Sequence, residues 1–111
     1  VRQGDVQAVH SLRRGVAEAL EIVARGDRKS SRVVGRKVSE LQLPREVHIG
    51  LIVRGLPELP DTPTEGLPEP EVIIPRSATV IESNDHVVFF LPNKRLVRDV
   101  EKLFRVSATF F

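Results

Sequence analysis

Thr79-Val80-Ile81-Glu82-Ser83-Asn84-Asp85-His86-Val87-Val88 is the stretch on which the fold turns. Ser83-Asn84-Asp85 is turn chemistry, because short polar side chains bond their own backbone and Asn and Asp tolerate left-handed conformations. β-Branched runs flank it, so the spacing predicts a hairpin with Ala78–Glu82 leading in and His86–Leu91 leading out. Just upstream, Glu71–Pro75 is a further short strand. Downstream, Asn93 is a helix cap. It opens an amphipathic helix, Asn93–Phe104, with Leu96, Val97, Val100, Leu103 and Phe104 on one stripe.

Working back toward the N-terminus, Val47–Arg54 alternates most cleanly. Its parity directs Val47, Ile49, Leu51 and Val53 at a core and His48, Gly50, Ile52 and Arg54 away from it. Gly15–Ala24 is the first strand, with Val16, Leu20, Ile22 and Ala24 sharing a parity with Glu18. Between these strands, Ser31 is an N-cap for a short helix over Val33–Leu41, with Val34, Val38 and Leu41 at helical spacing. Gly35 inside that helix costs about 1 kcal/mol against alanine. Leu43-Pro44 ends it, since the residue before proline avoids the α region. The order is strand, helix, three strands, helix: a small two-layer α+β module of β-α-β-β-β-α type.

Three segments stand outside this pattern. Residues 1–14 are short and polar apart from Val6, Ala8, Val9 and Leu12. Asp5–Leu12 could form a strand, but the piece is expected to connect an upstream domain to a module over 15–111. Leu56–Glu71 holds five of the eight prolines and five acids with no base, so an inserted, partly polyproline mobile loop is expected there. A proline-rich docking ligand is the other reading of that segment. The tail ends in Phe110-Phe111, too apolar to hang in water, and should pack on this module, a second copy or a further domain.

Composition bounds the function. A chain of 111 residues fits one domain with one modest core. Without cysteine it has no disulfide framework and no thiolate metal site. No run approaches the ~18 apolar residues of a membrane span, and no signal peptide is evident, so a cytosolic protein is expected. Methionine is absent even at position 1, which points to a segment of a longer protein. The formal charge of +2 conceals an asymmetry: residues 1–37 carry nine Lys/Arg against four Asp/Glu. A basic face can meet nucleic acid or an anionic ligand. Here a solvated loop over Arg25–Lys37 is favoured, because five phenylalanines without Tyr or Trp give no platform for stacking bases.

Catalytic patterns are missing. His10, His48 and His86 do not sit at metal-ligand spacing with one another or with a carboxylate, and no HExxH occurs. His86 follows Asp85 at the hairpin, and His48 lies on the less apolar parity of its strand. His10-Ser11 adjacency does not make a triad, which requires convergence in space. There is no GxGxxG and no P-loop. No catalytic or metal residue is assigned, no cofactor-binding residue is identified, and a non-enzymatic role is expected.

The ordered pieces Asp5, Ala8-Val9-His10-Ser11-Leu12-Arg13-Arg14-Gly15, Ala17-Glu18-Ala19, Ser31-Arg32-Val33-Val34-Gly35-Arg36, Leu43-Pro44, Ile49-Gly50, Ile52-Val53-Arg54-Gly55, Thr79-Val80-Ile81-Glu82, Asp85-His86-Val87 and Val100-Glu101-Lys102-Leu103-Phe104 together resemble the TrkA family of bacterial potassium-uptake regulators. The resemblance spans nearly the whole chain and is strongest to the C-terminal subdomain type called RCK_C. The Phe110-Phe111 ending is similar to the family's own C-terminus. The resemblance implies a regulatory, non-catalytic module of a Trk-type potassium uptake system. It would be cytoplasmic and peripheral to the inner face of the membrane, would pair as a homodimer, and would control a membrane channel subunit through ligand-biased dimer geometry. It implies NAD(H) or adenine nucleotide in N-terminal subdomains upstream of residues 1–14, and in some relatives a cyclic dinucleotide at the dimer interface. The 56–71 segment departs from the family, which usually has a tight turn there. The alternative function is a stand-alone sensor of a nucleotide or cyclic dinucleotide. Nucleic acid is not an expected partner.

Overall fold

The structure is a computed structural model that describes residues 5–12, 16–57 and 61–106. Five strands, β1 (Asp5–Leu12), β2 (Ala17–Val23), β3 (His48–Arg54), β4 (Glu71–Ile73) and β5 (His86–Leu91), form one sheet in the order β1-β2-β5-β3-β4. Every neighbouring pair is antiparallel. One helix, α1 (Arg95–Phe104), follows β5 and covers one face. This is the α+β, two-layer class anticipated for the chain.

The layers meet through apolar side chains of one parity. Leu20 and Ile22 of β2, Val87, Phe89 and Leu91 of β5, and Ile52 of β3 are buried beneath Val100, Leu103 and Phe104 of α1. Leu96 and Val97 pack at the margin of the same cluster. Phe89 meets Phe104 edge to face, with ring centroids 5.6 Å apart at 87°. That geometry sets a positive ring edge against a negative ring face. The Asn93 side-chain carbonyl accepts a hydrogen bond from the Arg95 N–H at 3.1 Å, so it does cap the first turn of α1.

The second helix expected over Val33–Leu41 does not form; only a 3₁₀ turn, Val38–Glu40, is present. The Ser31 hydroxyl does accept from the N–H groups of Val33 and Val34, both at 3.0 Å. Gly35 then takes φ +81° and swings the backbone out of the helical path. The Gly35 and Val38 N–H groups donate to the carbonyls of Ile81 and Thr79, and Ile81 donates back to Arg36. Backbone groups that a helix would have paired locally are satisfied by a distant segment. For its part, 78–82 forms no strand and contributes an isolated bridge, Lys37 to Val80.

Two further findings concern the strands. Asp5–Leu12, which could form a strand but had no assured partner in the sequence, is the edge strand β1 and pairs with β2 from Asp5↔Val23 to Leu12↔Ala17. In β3 the register slips between Ile49 and Leu51, a bulge at Gly50. The slip reverses the expected parity downstream. Ile52 is the fully buried member of β3, while Leu51 and Val53 are half-buried on the other face. The described part of the 56–71 segment has no helix or strand before β4 begins at Glu71; a turn there is closed by the Leu67 N–H on the Thr64 carbonyl at 3.1 Å. Phe110-Phe111 lie outside the described residues.

Candidate functional site

The sheet face opposite α1 is the distinctive surface. Register places Ala8, Glu21, Val88 and Leu51 in one row across β1, β2, β5 and β3. The next row holds His10, Ala19, Phe90 and His48. On the other side of the first row, His86 of β5 neighbours Val53, which in turn pairs with Val72 of β4. Among the described residues, no helix covers this face. Phe90 remains 46% exposed at its centre and Val72 62% exposed at its edge.

Gly50 shapes the middle of this surface. The Phe90 ring lies over it so closely that a Cβ there would collide with the ring. The glycine therefore lets the aromatic lie down on the sheet at the bulge. Beside it, an open cavity of about 520 Å³ is bordered by Arg45, Glu46, His48, Phe90 and Pro92. At the opposite end of the face, His86 Nδ1 and Glu21 Oε2 are 2.7 Å apart.

Polar bonds fix the sheet end where β2, β3 and β5 converge. Arg54 donates from Nε to Asp85 Oδ1 at 2.9 Å and from Nη2 to Asp85 Oδ2 at 2.8 Å. A third guanidinium nitrogen meets Glu82 Oε2 at 3.0 Å. Donation to the Asp85 carboxylate holds the guanidinium of Arg54 above its ordinary pKa, against an opposing desolvation. Asp85 is fully buried and also accepts from the Glu82 N–H at 2.8 Å. Asn84, at φ 71°, makes the turn, and its side-chain carbonyl accepts from Arg25 at 2.8 Å.

The basic loop after β2 is largely engaged in its own structure. Asp27 Oδ1 accepts from the N–H groups of Lys29 and Ser30, both at 2.9 Å. Hydrogen bonds from Ser30, then the one from Lys29, lower the pKa of this exposed carboxyl. Arg36 donates to the carbonyls of Ser31 and Val34, and Arg32 to that of Lys102 near the end of α1. Cations at a helix C-terminus complement its dipole.

The structure brings all three histidines of the sequence onto the uncovered face, without gathering them. Among the described residues, no group of three His, Cys, Asp or Glu could hold a metal ion. The Arg54–Asp85 clamp was not visible in the sequence, because its partners are 31 positions apart and Asp85 already had a role in the turn. Glu18 was visible in part. Its parity with Leu20 and Ile22 places it on the α1 side, where it is 1% exposed and neither carboxylate oxygen has a hydrogen-bond partner.

Residues 22–105, from the last residues of β2 to just past the end of α1, match the family model of the TrkA-C domain. The chain belongs to the TrkA-C domain family. Over 111 residues, this TrkA-C chain is 48% identical to the Trk system potassium uptake protein TrkA of Halomonas elongata. Over 110 residues it is 48% identical to the protein of that description from Vibrio alginolyticus and 44% identical to the one from Haemophilus influenzae. These matches cover 99–100% of this chain and 21% of each relative, so the TrkA-C chain spans about one-fifth of their length. No helix among its described residues is long and apolar enough to cross a membrane.

Proposed function

We propose that this chain is the regulatory, non-catalytic module of a Trk-type potassium uptake system. It acts on the membrane channel subunit through the geometry of a homodimer. Family membership and the relatives' designation as Trk system potassium uptake proteins support the setting. The observation that carries the dimer is the uncovered face centred on Phe90, with Leu51, Val53, Val88 and Val72 around it. A two-fold axis through such a face sets the same patch against itself and removes apolar surface from water on both copies.

In this reading, residues 1–14 lead in from upstream subdomains that hold NAD(H) or an adenine nucleotide, and 15–111 form the RCK_C module. The intact protein works in the cytoplasm against the inner face of the membrane. β1 lies within the leading segment yet is bonded along β2, so a displacement upstream is passed directly to the mating sheet. A ligand that favours one dimer geometry over another then biases the pore.

Sedimentation of the chain tests the pairing: a dimer is expected, and Phe90→Asp is expected to yield folded monomer. In the full-length protein, the same substitution should abolish restoration of potassium uptake to deficient cells while leaving nucleotide binding upstream intact. A wild-type chain that stays monomeric at high concentration, or full uptake by the variant, overturns the reading.

A further inference from the structure

Basic side chains line the outside of α1. At about 100° per residue, Arg95, Arg98, Lys102 and Arg105, the last just past the helix end, fall within about 80° of arc, opposite the buried Val100, Leu103 and Phe104. All four are exposed, and Asp99 and Glu101 stand on the two flanks of the line. Helix stability does not account for the arrangement. Neighbouring cations on one helix face repel. Arg95 occupies a first turn that holds no acid, where the helix dipole disfavours positive charge. Among the described residues, none of the four is in an ion pair, although Asp99 follows Arg95 and Glu101 precedes Arg105 by four positions. Arg98, Lys102 and Arg105 border, with Glu101, an open hollow of about 300 Å³.

We infer that this surface is a docking face for anionic phospholipid headgroups on the cytoplasmic side of the membrane. The inference rests on the membrane-side setting proposed above and names the part of the chain that meets the bilayer.

The basic loop after β2 extends the surface. Arg32 donates to the Lys102 carbonyl, and a Cβ at Gly26 would sit 3.2 Å from the Val106 side chain, so this loop adjoins the end of α1. Residues 25–37 hold six Lys/Arg against the single acid Asp27, and residues 93–106 hold five against Asp99 and Glu101. The rest of the chain holds six Lys/Arg against twelve Asp/Glu, so positive charge is gathered in these two segments. Beneath α1, the described parts of β1 and β2 turn one ionisable group toward it, Glu18, which is 1% exposed. Where the basic loop ends, Lys37 and Glu40 are of opposite sign, and Glu82 pairs with Arg54. An anionic bilayer presents a plane of phosphates, and the outermost side of α1 offers it a straight cationic line about 15 Å long. Clusters of about four to eight Lys/Arg on an amphipathic helix suit such a surface, each adding about fivefold to binding. Nucleic acid finds no aromatic platform on this line. The surface lies across the sheet from Phe90, so pairing through the uncovered face leaves it open.

The test is co-sedimentation of the chain with vesicles of phosphatidylcholine alone and with vesicles containing about 30% phosphatidylglycerol, at about 0.1 M salt. Binding at least about tenfold tighter to the anionic vesicles is expected, with release at about 0.5 M salt. Arg98→Gln/Lys102→Gln should weaken it at least about tenfold. Arg45→Gln/Arg76→Gln, which removes the same charge from exposed positions elsewhere, should weaken it less than about twofold. If the α1 pair is poorly folded, Arg98→Gln alone should still weaken binding about fivefold. No preference for the anionic vesicles, or an equal loss in both pairs of substitutions, overturns the inference. Tighter binding to a DNA duplex at the same salt assigns the surface to nucleic acid and overturns it as well. In each of those cases a chain that still sediments as a dimer leaves the proposed function standing. Binding of anionic vesicles by a monomeric chain supports this surface and overturns the homodimer.

Discussion

Asp85 grips Arg54 with both carboxylate oxygens, at 2.9 and 2.8 Å, from a position with no solvent access. The pair ties the start of β5 to the end of β3, and its geometry leaves neither oxygen unsatisfied. Planar two-point contacts of this kind suit guanidinium and carboxylate, and lysine cannot reproduce them.

Arg54→Met leaves the buried carboxylate with only a backbone N–H and is expected to cost about 3 kcal/mol of folding stability. Arg54→Lys should recover only part of that loss. Urea denaturation of the two variants against wild type decides the matter; a loss below half a kcal/mol for the methionine variant would show that the clamp is ornamental.

Glu18 presents the opposite case. It is enclosed on the α1 side of the sheet with neither oxygen hydrogen-bonded. Burial of an unpaired ionic group is costly, and an apolar replacement of similar volume commonly improves stability. Glu18→Leu should therefore gain about 1–3 kcal/mol. A shift of the urea midpoint to lower concentration would contradict the expectation.

Gly50 and Phe90 form a coupled pair. Gly50→Ala forces the ring off the sheet and should destabilise by about 1–3 kcal/mol. In a Phe90→Ala background the same change meets no ring, so the double mutant should be less destabilised than the sum of the singles. Simple additivity in a thermodynamic cycle would refute the contact.

Asp27 sets one expectation for acid. Its folded pKa lies below the ordinary 3.8, chiefly through Ser30. A depressed carboxyl stabilises the fold above its unfolded value, and that contribution disappears as pH falls through the folded value. Asp27→Asn should therefore cost stability at neutral pH and nothing at the acid end of the titration. A penalty that persists there would mean the turn depends on the side chain's shape instead of its charge.

The sequence disclosed what depends on neighbours a few residues apart. The stripe Val100, Leu103, Phe104 and the parity of Leu20 and Ile22 follow from local period alone, and both face the core. The missing helix over 33–41 was illegible because its backbone bonds run to Thr79 and Ile81, a competition no local window contains. The reversed parity in β3 had the same root. A bulge adds one residue without changing the alternation of types, and Gly50 has no side chain to betray which face it serves. Of the candidate surface, His48 on the less apolar side of its strand was legible, but its company with His10, His86 and Phe90 required the strand order.

That strand order has a consequence for how the molecule comes into being. β5 occupies the centre of the sheet yet is the last of the five described strands to leave the ribosome. Until it arrives, β1-β2 and β3-β4 are two separate hairpins, each presenting a raw edge that awaits the same insert. Closure is thus a late, all-at-once event of long sequence reach, slow by nature and hazardous to interrupt. A chain cut before His86 would have two halves and no β5 to join them.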